Sequence, residues 1–90
     1  MNFTVVWRWR ATNILADAVV TALEAGHGSE GITAATARID SLLRQNPATV
    51  GESRPGHERI VIDAPLTVYF EVHEDERVVI VLSVRYFVRR

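Results

Sequence analysis

The chain has 90 residues, 48% of them hydrophobic, and a formal net charge of −1. This length predicts a single domain over residues 1–90, and the apolar fraction predicts a core that needs no covalent cross-links. The absence of cysteine excludes a disulfide framework and a thiolate metal site. No segment has the apolar length of a membrane span and no signal peptide is evident, so we expect a soluble cytoplasmic protein that does not contact a membrane.

The first half of the chain predicts one strand and two helices. Asn2–Trp7 is β-branched and aromatic, which is typical of a strand. The first helix is predicted over Ile14–Ala25, with Thr12 or Asn13 as its N-cap and Gly26 in the left-handed position that ends it. Its apolar side has helical spacing and consists of Leu15, Ala18, Val19, Ala22 and Leu23.

The second helix is predicted over Ile32–Arg44. Its apolar side consists of Ile32, Ala35, Ile39, Leu42 and Leu43. Asp40 and Arg44 lie four residues apart on the other side and predict a modest surface ion pair. Asn46–Pro47 ends the helix, because a residue before proline avoids helical dihedral angles. The short linker between the helices predicts an antiparallel helical hairpin.

Three further strands are predicted, over Glu58–Asp63, Leu66–His73 and Arg77–Val84. A break at Ala64–Pro65 separates the first two, and a hairpin turn at Glu74–Glu76 separates the last two. The last strand is apolar on both faces, which indicates a position inside the sheet. The element order β-α-α-β-β-β favours an α+β fold, with a mostly antiparallel sheet and the helical hairpin packed on one face.

Motifs for cofactors and metals are absent from the sequence. It has no Walker loop, no GxGxxG and no zinc-ligand spacing, so we expect neither a cofactor nor a bound metal. His27, His57 and His73 lie far apart in different loops or turns, which predicts isolated surface histidines. All basic residues are arginine, whose guanidinium group can hold phosphate but does not exchange protons.

One group of residues has the side chains that RNA cleavage by internal attack requires. It lies at the start of the first strand after the helices and after the last strand, and consists of Arg54, His57, Arg59, Arg85 and Tyr86. If neighbouring strands bring these ends together, His57 is the candidate base for the 2′-hydroxyl and Tyr86 the candidate acid for the leaving oxygen. The three arginines would hold the phosphate.

A structural interpretation of the same residues stays open. Arg54 would pair with Glu52 or Glu58, and Tyr86 with Phe87 would close the edge of the core. Composition alone favours this interpretation, because such clusters are often structural.

The order of several segments resembles the RelE/ParE superfamily of toxins from type II toxin–antitoxin systems, especially the short members called plasmid stabilisation proteins. The matching segments cover nearly the whole chain and read VVW, ITAATARIDSLLRQNP, GESR, PLTVYFEV and RVVIVLSV. The resemblance implies a compact α+β toxin that inhibits growth. It also implies an antitoxin, encoded beside the toxin, that lays an extended or helical segment across it. A homodimer is a further possible assembly.

The resemblance leaves the activity open. RelE-like members cleave mRNA in the ribosomal A site, whereas ParE-like members inhibit DNA gyrase and are not enzymes. Arg85 matches the basic position after the last strand, and Arg54 and Arg59 match basic positions of both branches. The chain departs from the nucleases because it has no lysine and because Pro65–Thr67 is uncharged where they often have arginine. Cleavage of mRNA is favoured only because this activity is common among toxins of this class. The alternatives are gyrase inhibition and a degenerate module that only binds an antitoxin, for example by strand addition at an open sheet edge.

Overall fold

The structure, a computed structural model, describes residues 2–87. Two helices pack on one face of a five-stranded sheet, which confirms the predicted α+β class and layer arrangement. The elements in chain order are β1 (Thr4–Trp7), α1 (Trp9–Glu24), α2 (Glu30–Gln45), a 3-10 turn (Pro47–Thr49), β2 (Glu52–Ser53), β3 (Glu58–Asp63), β4 (Leu66–His73) and β5 (Val78–Tyr86).

The sheet has the strand order β1-β5-β4-β3-β2. β1 is parallel to β5, and every other neighbouring pair is antiparallel, which confirms the prediction of a mostly antiparallel sheet. β5 therefore has a strand on each side, as its apolar composition indicated. β3 and β4 have the predicted bounds, because each is an uninterrupted strand-forming run and the Ala64–Pro65 turn lies between them.

The other strands differ from the prediction in detail. β5 begins at Val78, because Arg77 has a positive φ of 57° and belongs to the preceding turn. β5 also continues to Tyr86, which pairs with Leu66 at the start of β4. β2 was not predicted. It is a two-residue strand at the edge of the sheet, held by its antiparallel pairing with β3.

The first helix begins earlier than the sequence predicted. α1 starts at Trp9 and not at Ile14, so neither Thr12 nor Asn13 is its N-cap. Arg8 precedes the helix, makes no side-chain cap bond, and donates its backbone N–H to a β5 carbonyl at 3.1 Å. Because the backbone stays bonded to β5 up to this residue, the chain passes from strand to helix without a loop.

The end of α1 and most of its apolar side were predicted well, since Ala18 and Ala22 are buried and Leu15 and Val19 pack against the core. Gly26 follows the helix with a φ of 79°, in the predicted left-handed conformation. The fully buried residues of the helix are Ala11, Ala18 and Ala22. Leu23 was predicted to face the core and is exposed, because it projects from the helix on the side away from these alanines.

α2 ends before Pro47, as predicted. Four of its five predicted core residues are buried, namely Ile32, Ala35, Ile39 and Leu43. Leu42 is exposed and lies outside the core, which corrects that part of the prediction. Within residues 2–87 neither helix is both long and apolar enough to cross a membrane.

The helices cover one face of the sheet, here called the covered face, and leave the other, here called the open face. The buried strand residues of the covered face are Val5, Val61, Leu66, Val68, Phe70, Val79, Val81 and Val84. Cross-strand partners point to the same face of a sheet, so the register identifies the residues of the open face. They include Val6, Ile60, Ile62, Thr67, Tyr69, Glu71, Ile80, Ser83 and Arg85.

One ion pair joins α2 to the sheet, and a second lies within the helix. Arg38 donates two hydrogen bonds of 2.8 Å to Asp63 on β3, and this bonding lowers the pKa of the Asp63 carboxyl more than partial burial raises it. Burial raises the pKa of Asp40, but hydrogen bonds from Arg44 and from the Trp7 indole outweigh it and leave that pKa below its ordinary value. The Asp40–Arg44 contact of 2.7 Å confirms the predicted surface pair.

Candidate functional site

The structure separates the five residues that were predicted to form one cluster. β3 and β5 both run antiparallel to β4, so the start of β3 and the end of β5 lie at opposite ends of the sheet. Glu58, the neighbour of His57, pairs with Glu71, whereas Tyr86 pairs with Leu66. The step from Leu66 to Glu71 along β4 spans about 17 Å. The expectation that these strand ends meet is therefore wrong.

Arg54 and His57 lie in the loop between β2 and β3, and both are exposed. The Arg54 backbone N–H donates to the Glu58 carbonyl at 2.8 Å. Among residues 2–87 the Arg54 side chain makes no salt bridge with Glu52 or Glu58, so the structural interpretation of this residue is also wrong. The loop thus presents one guanidinium group and one imidazole to solvent.

Arg59 has a structural role in the same region. It lies on β3 opposite Phe70, and paired residues share a face, so it belongs to the covered face. Its guanidinium donates to the carbonyls of Val50 and Gly51 at 3.0 and 3.1 Å. Gly51 has a φ of 69°, and a Cβ there would collide with the Ile60 carbonyl. Arg59 therefore braces the tight approach of this loop to β3.

A β-bulge in β5 determines which face of the sheet the Arg85 side chain lies on. Leu82 has no partner on β4, because Val81 pairs with Phe70 and Ser83 pairs with Tyr69. Val81 and Val84, on either side of Leu82, are both buried on the covered face. Residues three apart in a regular strand point to opposite faces, so the extra residue restores the burial of Val84. It also places Arg85 on the open face, opposite Thr67.

Arg85 and Tyr86 line one cleft at this end of the sheet, together with Thr67, Tyr69 and Phe87. Tyr86 is partly buried against the core, as the structural interpretation predicted. The cleft combines one guanidinium with two phenols and a hydroxyl, which can bind an anion through charge and hydrogen bonds. None of these five lining residues is a histidine, an aspartate or a glutamate, the side chains that most often serve as a general base.

The histidines are less isolated than the sequence indicated. His57 and His73 line the same cleft at the opposite end of the sheet, together with the acidic turn Glu74–Glu76. The Nε2 atom of His73 lies 3.2 Å from a Glu71 carboxylate oxygen, and its Nδ1 atom lies 3.9 Å from Glu76. Within residues 2–87 no three His, Asp or Glu side chains are grouped to hold a metal ion.

Some residues on or beside the open face were not predicted from the sequence to have a function. Tyr69 shares the cleft with Arg85, and it lies between the buried residues Val68 and Phe70, as the alternation of a strand requires. A further cleft is lined by Arg8, Trp9, Arg10, Glu71, Leu82 and Ser83. The sequence signal for this cleft is the RWR tripeptide, an aromatic residue between two cations.

No protein-family model matches the sequence, and no curated protein matches it. Among solved structures, the chain is similar to a chain of the toxin–antitoxin complex RelBE2 from Mycobacterium tuberculosis, with a TM-score of 0.74 and 14% sequence identity. The likeness covers 97% of this chain and 93% of that chain. At this identity it is a likeness of fold. The chain has the RelE-like fold that the order of its sequence segments predicted.

Proposed function

We propose that this protein is the toxin component of a type II toxin–antitoxin pair and that it inhibits growth in the cytoplasm when its antitoxin is absent. The observation that carries the proposal is the fold, whose likeness to a chain of a toxin–antitoxin complex spans nearly the whole of both chains. The resemblance of the sequence segments to RelE/ParE toxins supports the same function. The partner that this function requires is an antitoxin encoded beside the protein.

The toxin acts in this proposal by binding a target protein, as gyrase-inhibiting members do. Cleavage by internal attack needs a base and an acid within hydrogen-bond reach of one phosphate. His57 precedes Glu58, which pairs with Glu71, whereas Tyr86 pairs with Leu66. Leu66 and Glu71 are about 17 Å apart along β4, too far for His57 and Tyr86 to reach one phosphate. The open face offers a binding surface instead, because Arg85 shares it with the exposed apolar residues Val6 and Ile62.

Induced expression tests the toxin function, and two further assays test its mode. Growth should stop on induction and resume when the adjacent antitoxin frame is co-expressed. The purified protein should inhibit gyrase supercoiling at a stoichiometric excess, while mRNA stays intact in the arrested cells. Unimpaired growth would contradict the toxin function. Growth arrest without any effect on supercoiling would contradict gyrase as the target but would not contradict the toxin function.

Cleavage of mRNA on the ribosome is the second candidate, favoured by the cleft in which Arg85 lies with Tyr69 and Tyr86. Arg85 would hold the scissile phosphate, a phenol would protonate the leaving oxygen, and the ribosome would supply the base. Mapping of mRNA ends in translating cells tests this candidate. New ends that disappear in Arg85→Ala would support it, and intact messages during arrest would reject it.

A further inference from the structure

The outer side of α1 carries an apolar stripe that the exposed polar residues Thr12 and Asn13 interrupt in its first half. Trp9, Val20 and Leu23 are 75%, 54% and 58% exposed, and the exposed Ala16 lies between them. Trp9, Ala16 and Leu23 recur at heptad spacing, and Val20 follows Ala16 by one helical turn, so the four share one side. A helix on a protein surface ordinarily has its polar residues there. α1 therefore has apolar residues on the side that contacts the sheet and on the side that faces solvent.

The two ends of this stripe have opposite charges beside them. Arg10 lies in the first turn of α1, and Glu24 is its last residue. Neither forms a salt bridge with another residue of the 2–87 range. In an antiparallel pair of such helices, Trp9 of one would meet Leu23 of the other, and each Arg10 would approach the other Glu24. The stripe is therefore complementary, in shape and in charge, to a second copy of itself.

We propose that two copies of this chain associate through α1, with the helices antiparallel and a two-fold axis near Ala16. A small residue at the axis lets the two backbones approach closely. α1 has 16 residues and is about 24 Å long, so the interface is small and belongs to the weak, reversible class. The stripe lies opposite the buried alanines of α1, but Trp9 and Arg10 at its start also line a cleft with Glu71 and Ser83 of the open face. The dimer would therefore cover part of that cleft, whereas none of the stripe residues lines the Arg85 cleft. The inference does not depend on the proposed function.

One contact opposes this association and provides a test of its geometry. Asp17 is exposed and lies next to Ala16, so the antiparallel arrangement brings the two Asp17 carboxylates near each other beside the axis. Like charges at this position weaken the dimer. Asp17→Asn should therefore strengthen self-association, most clearly at low ionic strength, where exposed charges are screened least.

Sedimentation equilibrium of the full chain, with protein concentration varied, tests the proposal. We expect a reversible monomer–dimer equilibrium with a dissociation constant on the order of 10 µM. Val20→Glu should weaken it at least about tenfold, because the charge would be buried against apolar side chains. Ile62→Glu is the matched control, since Ile62 is 69% exposed but lies on the open face, and it should leave the equilibrium unchanged.

A charge exchange tests the orientation of the helices. Arg10→Glu and Glu24→Arg should each weaken the dimer, and the double variant should restore it, because each new charge then meets its opposite. A wild-type chain that stays monomeric up to about 500 µM overturns the proposal and leaves the stripe to a different chain, such as an antitoxin. A dimer that Ile62→Glu dissociates and Val20→Glu does not also overturns it. Failure of the double variant to restore the dimer overturns the antiparallel arrangement.

Discussion

The two faces of the sheet differ in what determines their residues. On β4, Phe70 is fully buried against the helices, while its neighbour Tyr69 lies on the open face and lines the cleft of Arg85. Most residues of the covered face are apolar, because apolar side chains gain free energy when they leave water. The open face depends on register, and in β5 on the bulge at Leu82. Stability and activity should therefore respond to different substitutions, even at adjacent residues.

The largest difference should be between Phe70→Ala and Tyr69→Ala. Phe70→Ala leaves a cavity in the core and should lower the free energy of unfolding by about 3–5 kcal/mol. Tyr69 is half-buried on the open face, so Tyr69→Ala should cost only about 1 kcal/mol. Urea unfolding followed by circular dichroism measures both values. Equal losses would show that residues of the open face stabilise the fold as much as core residues do, and would contradict the difference between the two faces.

Arg59→Ala should have the next largest effect. It removes the donors to the Val50 and Gly51 carbonyls and should lower the free energy of unfolding by about 1 kcal/mol. Arg54→Ala is the matched control, because Arg54 is exposed in the same loop, and it should change the free energy by less than about 0.5 kcal/mol. The same unfolding assay would contradict the bracing role of Arg59 if the two variants were equally stable.

The Arg38–Asp63 pair gives the smallest stability effect and a pH dependence. Because the pKa of Asp63 is lowered in the folded chain, its carboxylate stabilises the fold above the ordinary value of 3.8. This contribution disappears as the pH falls through the lowered folded value. Asp63→Asn should therefore be less stable than wild type at neutral pH, and the difference should shrink as the pH falls below 3.8, when urea unfolding is compared across pH. A difference that persists in acid would contradict the ion pair.

The elements that sequence predicted well are those whose cause is local. β3 and β4 have the predicted bounds because the Ala64–Pro65 turn ends one run of strand-forming residues and precedes the next, and Pro47 ends α2. The start of α1 was missed because its cause is a tertiary contact, the backbone bond from Arg8 to β5. No local cap residue marks that position.

The candidate site was predicted less well, for two different reasons. The direction of Arg85 depends on the bulge at Leu82, and β5 is apolar on both faces, so no alternation reveals where the register shifts. The separation of His57 from Tyr86, by contrast, could have been predicted. Two successive hairpins already place the start of the first strand and the end of the third at opposite ends of a sheet.

Recovery of growth after induction tests whether the open face is the working surface. Arg85 is exposed on that face, so Arg85→Ala should change the free energy of unfolding by less than about 0.5 kcal/mol. We expect Arg85→Ala to relieve growth arrest at wild-type expression levels. We expect the double variant Arg54→Ala/His57→Ala, altered in the loop at the other end of the sheet, to arrest growth like wild type. If Arg85→Ala remains toxic and the loop variant is harmless, the open face is not the surface that causes growth arrest.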